Sequence, residues 1–220
     1  GRCGSQLIHR SLHEAGYNVI GEPILNDFDK IVYPDIAAKY MDKKFDWTKL
    51  QNPQYVLDCF ERCDMMSILY DAISPELEEF LKTSKIKIIH LKRKNQLLRY
   101  FSLKHAKLTN HWDCKAIKNQ KLRLDPKEAI SNINYNKQQE KKYCGLDIYY
   151  EDMVSNHWNW KLTINKILEY CGEKPPDKTI PKIGQKVINK HPIELFNLDE
   201  LSTVPELKVY TDMCDPYFSH

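Results

Sequence analysis

Residues Ile86 to Leu103 read IKIIHLKRKNQLLRYFSL, and the order of residue types in that stretch decides the fold. Ile86 to Leu91 is a short, continuous, isoleucine-rich run, the signature of a buried strand. Lys92, Arg93, Lys94 and Asn95 follow as a polar loop. The spacing then predicts a helix with Leu97, Leu98, Phe101 and Ala106 on its inner face. A buried strand feeding a helix is one unit of a parallel sheet with helices on its faces. The predicted class is therefore α/β. Ligands in such sheets bind outside the carboxyl ends of the strands, so a site is expected just after Leu91.

Charge points to the same place. No acidic residue occurs between Phe80 and Trp112, a stretch that holds nine lysines and arginines. The whole chain carries only +3, so the remainder is net acidic and the molecule is no polybasic nucleic-acid binder. One sign of charge gathered at a strand end is the footprint of an anionic ligand. A solvated basic face is the alternative.

The first residues, Gly1 to Glu22, read GRCGSQLIHRSLHEAGYNVIGE. Leu7, Ile8, Leu12 and Ala15 fall at helical spacing, and Gly16 is placed to close the helix. A strand-like run follows at Tyr17 to Ile20. A small-residue loop opening a helix leaves backbone N–H groups free to hold an anion. Arg2 adds a fork of charged donors and Ser5 a hydroxyl. An ordinary glycine turn opening a surface helix would read the same way. The G-x-x-x-x-G-K-[ST] spacing is absent, which disfavours an ordinary ATP or GTP hydrolase. A loop of this kind normally follows a buried strand, so a strand missing ahead of Gly1 is expected.

Elsewhere, loop is predicted from Pro23 to Tyr33 and a helix from Pro34 to about Met41. A helix is expected at 54–63, with Tyr55, Cys59 and Arg62 to one side, and a buried strand at Met65 to Tyr70. Ser74-Pro75-Glu76 is a strong helix start. Residues 110–121 read as polar loop, and Pro126 opens a largely solvated helix. Leu146 to Tyr150 is a strand ending in Glu151-Asp152. Trp158 to Tyr170 is a helix with Trp158, Leu162, Ile164, Ile167 and Leu168 at its spacing, closed by Gly172. Its two tryptophans read as core and rim packing. Residues 173–190 form a Pro/Lys loop in which Lys182 and Lys186 are candidates for a basic flap over an anionic cofactor, against the alternative of a surface loop. The tail from Ile193 to about Val204 reads as an acidic helix packed back on the domain.

The chain has 220 residues, with 42% hydrophobic and 29% charged, a globular balance for a single domain over 1–220. Seven cysteines are scattered without C-x-x-C or Cys/His ligand spacing, so no metal site is expected. The pattern suits reduced thiols in a cytoplasmic compartment. No signal peptide and no apolar run of membrane-spanning length stands out.

With these residues in view, the chain resembles the sulfotransferase family, more its carbohydrate and nodulation-type branch than its aryl branch. Arg2-Cys3-Gly4-Ser5-Gln6 is similar to the loop that binds the 5′-phosphosulfate end of the donor. Gly21-Glu22-Pro23 resembles the Glu-Pro element after the first helix. Ile88 to Asn95, continuing through Arg99 to Ser102-Leu103, resembles the segment that binds the 3′-phosphate. Tyr150-Glu151-Asp152-Met153 resembles the Y-E-D-L after a late strand. The resemblance implies a P-loop-like three-layer sandwich with a central parallel sheet. It implies transfer of a sulfuryl group from 3′-phosphoadenosine 5′-phosphosulfate to a carbohydrate or other small acceptor. Adenosine 3′,5′-bisphosphate would be released and no metal used.

By the same resemblance, Arg2 and Glu22 are catalytic. Arg2, Cys3, Gly4, Ser5, Gln6, Arg93, Lys94 and Ser102 bind the cofactor, with Lys182 and Lys186 over it. His9 and His13 rival Glu22 as the base. The chain departs from the family at Ser67, where a Lys is frequent, at Cys3, and in a 93–102 spacing one residue longer than in the aryl branch. A degenerate or truncated nucleotide-binding protein, or a P-loop nucleotide kinase, remains the alternative.

Overall fold

The computed structural model describes residues 4–20, 53–70, 73–109, 121–176, 180–181 and 196–214. Helix α1 (Ser5–Glu14) starts on Gly4 in the left-handed conformation and buries Ile8, Ser11 and Leu12, while Ala15 is exposed. Gly16, at φ 96°, closes it: its N–H and that of Tyr17 bond back to His13 and Leu12 carbonyls, a Schellman ending. Strand β1 (Val19–Ile20) follows.

Helix α2 (Pro53–Phe60) buries Tyr55, Val56 and Cys59, with Arg62 beyond its end and exposed. The apolar run after it contributes only β2 (Met65–Met66), paired parallel to β1. Helix α3 (Pro75–Thr83) begins as its residues require. Ser74 Oγ accepts from Leu77 N at 3.2 Å, Pro75 takes the first turn, and Glu76 and Glu78 sit at the positive end.

Strand β3 (Ile89–Lys92) pairs parallel with β4 (Leu146–Tyr149), from Ile89 beside Leu146 to Lys92 beside Tyr149. Side chains alternate along both strands. Ile89, Leu91, Leu146 and Ile148 line one apolar core. On the other face His90 meets Tyr143, and Lys92 meets Asp147. Between the strands run α4 (Gln96–Thr109) and α5 (Pro126–Gln139), the latter capped by Asp125 through Glu128 N. The inner face predicted for α4, Leu97, Leu98, Phe101 and Ala106, is buried.

Strand β4 runs directly into the short helix α6 (Tyr150–Val154), followed by α7 (His157–Cys171). The phase of α7 differs from the sequence expectation. Trp160, Ile164, Ile167 and Leu168 are buried, whereas Trp158 is 63% exposed and Leu162 49%. Trp160 shares the inner face with Ile164, Ile167 and Leu168 at i, i+4, i+7 and i+8, and its Nε1–H, donated to the Ile180 carbonyl at 2.8 Å, lets it bury its whole ring. The tail helix expected from Ile193 to about Val204 is shorter, and a further helix follows it. Helix α8 (Leu198–Ser202) starts later than Ile193, and α9 (Pro205–Asp212) follows because Pro205 opens a new first turn.

The core has two centres. One joins Ile8 and Leu12 to Trp160, Ile164 and Ile148, with Val19, Met65 and Leu91 at its edge, so both strand pairs border it. The other joins α4 and α5 to Phe196, Leu201, Leu207 and Tyr210. The architecture is mixed α/β with parallel strand pairing; among the described residues the strands form two separate parallel pairs. The helix predicted at 34–41 and most of the 173–190 loop lie outside the described residues.

Candidate functional site

The turn after β3 is held from across the sheet. Glu151, in the first turn of α6, is buried, and its carboxylate accepts from Lys94 N at 2.8 Å and Asn95 N at 3.2 Å. Asn95 Oδ1 in turn accepts from Leu98 N at 3.0 Å, capping α4, and its Nδ2 donates to Tyr210 O at 2.9 Å. The amino end of α4 is thereby already occupied by protein acceptors, and the backbone donors at 94 and 95 are satisfied by Glu151 rather than left for a ligand.

Arg93 stands apart from this satisfaction. Its guanidinium carbon lies 4.7 Å from the centroid of the Tyr150 ring, within cation–π range. Its Nε is 3.7 Å from Glu151 Oε1, an ion contact too long for a hydrogen bond. The side chain is only 12% exposed, and Nε is buried with no hydrogen-bond partner among the described residues. The other buried side-chain atom in that condition is Ser67 Oγ, just past the end of β2. Buried polar atoms almost always find partners, so these two orphans are the places where an acceptor is missing. Both stand just past a strand's carboxyl end.

Four lysines of the basic run pair with carboxylates, one within its own helix and three across to other elements. Lys82 meets Glu78 at 2.7 Å, Lys92 meets Asp147 at 2.8 Å and Lys104 meets Glu128 at 2.5 Å. Lys94, expected at the cofactor, pairs with Asp152, and both are substantially exposed, so the pair contributes little. Arg99 donates to Gln96 Oε1 and Asn132 Oδ1. Ser102 is buried on α4, six residues beyond Gln96 and roughly 9 Å along its axis.

The amino-terminal turn comes close to the same place. Gly4 has φ 90°, and a Cβ there would lie 2.7 Å from Tyr150 Cδ2 and 3.0 Å from Met153 Cε. Gly4 and Arg93 therefore touch one side chain, Tyr150. The first intrahelical bonds of α1 run from Leu7 N and Ile8 N to Gly4 O, which leaves the N–H groups of Ser5 and Gln6 ahead of the ladder. His9 lies one turn beyond Ser5 on the same face, and burial pulls its pKa down to about 4. His13 is exposed. Arg2, Cys3, Glu22, Lys182 and Lys186 lie outside the described residues, as does the side chain of Gln6.

His90, inside β3, is a satisfied core residue. A carbonyl can only accept, so Nε2–H donates to Tyr143 O at 3.1 Å, and Nδ1 accepts from the Tyr70 hydroxyl at 2.7 Å. Burial lowers its pKa, in keeping with a neutral ring. Among the described residues no group of three or more His, Cys, Asp and Glu could hold a metal, and no helix is long and apolar enough to cross a membrane.

Tyr150 and Glu151 belong to one of the four motifs of the resemblance, which assigns them no role at the site. Their signal was an aromatic and an acid directly after a strand whose parallel neighbour ends in a basic loop. No family model, curated protein sequence or solved structure matches this chain.

Proposed function

We propose that this chain is a sulfotransferase of P-loop-like α/β architecture, its parallel pairs belonging to one central sheet in a three-layer sandwich. The donor is 3′-phosphoadenosine 5′-phosphosulfate and the acceptor a hydroxyl on a carbohydrate or other small molecule. The observation that carries this reading is the meeting, on the side chain of Tyr150, of the Gly4 turn and the Arg93 guanidinium, whose buried Nε has no hydrogen-bond partner among the described residues. Two anion cradles one aromatic ring apart suit a nucleotide with an anionic group at each end.

In the transfer, the acceptor oxygen bonds to sulfur while the bond from sulfur to the 5′-phosphate oxygen breaks. Negative charge builds on that leaving phosphate, where Arg2 and the N–H groups at the head of α1 would receive it. The hydroxyl proton passes to a base. Glu22 is the residue the resemblance assigns. His9 on α1, neutral at pH 7 because burial lowers its pKa to about 4, is a weak competitor. Arg93 and Ser102 would hold the 3′-phosphate.

Calorimetric titration with adenosine 3′,5′-bisphosphate tests the reading. Binding in the micromolar range is expected, about 8 kcal/mol. Arg93→Ala removes a charge-assisted contact of about 1.5–3 kcal/mol, so affinity should drop by roughly ten- to a hundredfold. Absence of binding by the wild-type chain would refute the proposal. Glu22→Ala separates catalyst from degenerate binder: an enzyme keeps the nucleotide and loses turnover, whereas a degenerate protein has no turnover to lose.

A further inference from the structure

Tyr150 and Glu151 are adjacent in the chain, yet they act on Arg93 from two directions. The Tyr150 ring lies under the guanidinium at 4.7 Å and meets the Gly4 turn with its edge. Glu151 grips the backbone on the far side of Arg93 through Lys94 N and Asn95 N, and keeps a carboxylate oxygen 3.7 Å from Nε. A free arginine side chain carries about 2 kcal/mol of rotamer entropy. Here ring, carboxylate and burial restrict that freedom before any ligand binds. The Gly4 turn is fixed as well, since only a residue without Cβ can approach the Tyr150 ring this closely.

We infer that Tyr150 and Glu151 form a saddle that sets the distance between the Gly4 turn and the Arg93 guanidinium, and that this distance selects ligands by the spacing of their two anionic groups. The inference rests on the reading of both features as anion cradles. Tyr150 and Glu151 are positioning residues in this scheme: they act through Arg93 and need not touch the ligand.

Three isomers provide the test: adenosine 3′,5′-bisphosphate, adenosine 2′,5′-bisphosphate and adenosine 5′-diphosphate. They share composition and differ in the spacing of their phosphates. The full chain is titrated with each. Wild type should bind the 3′,5′ isomer at least about tenfold more tightly than the 5′-diphosphate. Glu151→Gln and Tyr150→Leu should bring the three affinities within about threefold of one another, because the guanidinium is no longer held at one distance. Tyr150→Phe retains the ring and should retain the wild-type ranking, which separates positioning from general destabilisation. A wild type that binds all three alike, or variants that keep its ranking, would overturn the saddle.

If wild type binds none of them, the nucleotide reading fails, and the saddle is judged without ligand by the 15Nε–Hε signal of Arg93. A held guanidinium gives one slowly exchanging resonance that is lost in Glu151→Gln. A fast-exchanging Arg93 signal in the wild type would dispose of the saddle independently.

Discussion

Replacing Gly4 by alanine tests the junction at Tyr150 most directly. Gly4 has φ 90°, and its new Cβ would lie 2.7 Å from Tyr150 Cδ2, closer than real Cβ atoms approach, and a tight 3.2 Å from Cε2. Two costs combine. The left-handed backbone costs an L-residue roughly 1–2 kcal/mol, and overpacking against a ring costs roughly 1–3 kcal/mol. Gly16 supplies the control, with φ 96° but nothing within 4 Å of its Cβ position. Gly16→Ala therefore carries only the backbone cost. Both replacements also narrow the unfolded ensemble, by about 0.4–1 kcal/mol, and that gain cancels when the two variants are compared. Urea unfolding should place Gly4→Ala about 1–3 kcal/mol below Gly16→Ala at unchanged m, a difference of roughly 2–12 °C in Tm for a chain of this size. Equal stabilities within about 0.5 kcal/mol would refute the close approach of the turn to Tyr150, and with it the physical link between that turn and Arg93.

Other outcomes follow from the same structure. Ser67→Ala removes a buried hydroxyl without a partner among the described residues, so thermal denaturation should show a gain of about 1 kcal/mol; a loss of stability would mean that Ser67 is bonded. Trp160→Ala should cost about 3–5 kcal/mol in chemical denaturation, while Trp158→Ala, 63% exposed, should stay within about 0.5 kcal/mol; the reverse order would restore the helix phase expected from sequence. His9 has a pKa lowered from 6.5 to about 4 by burial, so the unfolded chain binds the extra proton between those values and stability falls as pH drops through that window. The loss amounts to up to about 3 kcal/mol between pH 6.5 and 4, and His9→Gln should flatten that part of the stability–pH curve.

The sequence alone determined whatever depends on neighbours a few residues apart. Ser74 and Pro75 predict the start of α3, Gly16 the end of α1, and the isoleucine run the strand β3, because caps, turns and side-chain periodicity act within one or two turns of chain. The basic loop after β3 was legible for the same reason, as was its place at a strand's carboxyl end. Trp158 shows where the reading of spacing fails: it lies about 200° around α7 from Trp160, which alone is in phase with Ile164, Ile167 and Leu168. The Ile180 carbonyl, twenty residues beyond Trp160, then satisfies the indole N–H that burial would otherwise strand.

The state of the site was decided by the tertiary structure. Nothing near Lys92, Lys94 or Lys104 in sequence foretells that carboxylates of other elements neutralise them while Arg93 keeps an unbonded Nε. Glu151 reaches the 93–95 turn from 57 residues away, through the parallel pairing of β3 with β4. The physical reason is general. Local conformation follows from short-range sterics and hydrogen bonding, but which charges are satisfied depends on what the folded chain brings within about 3–4 Å.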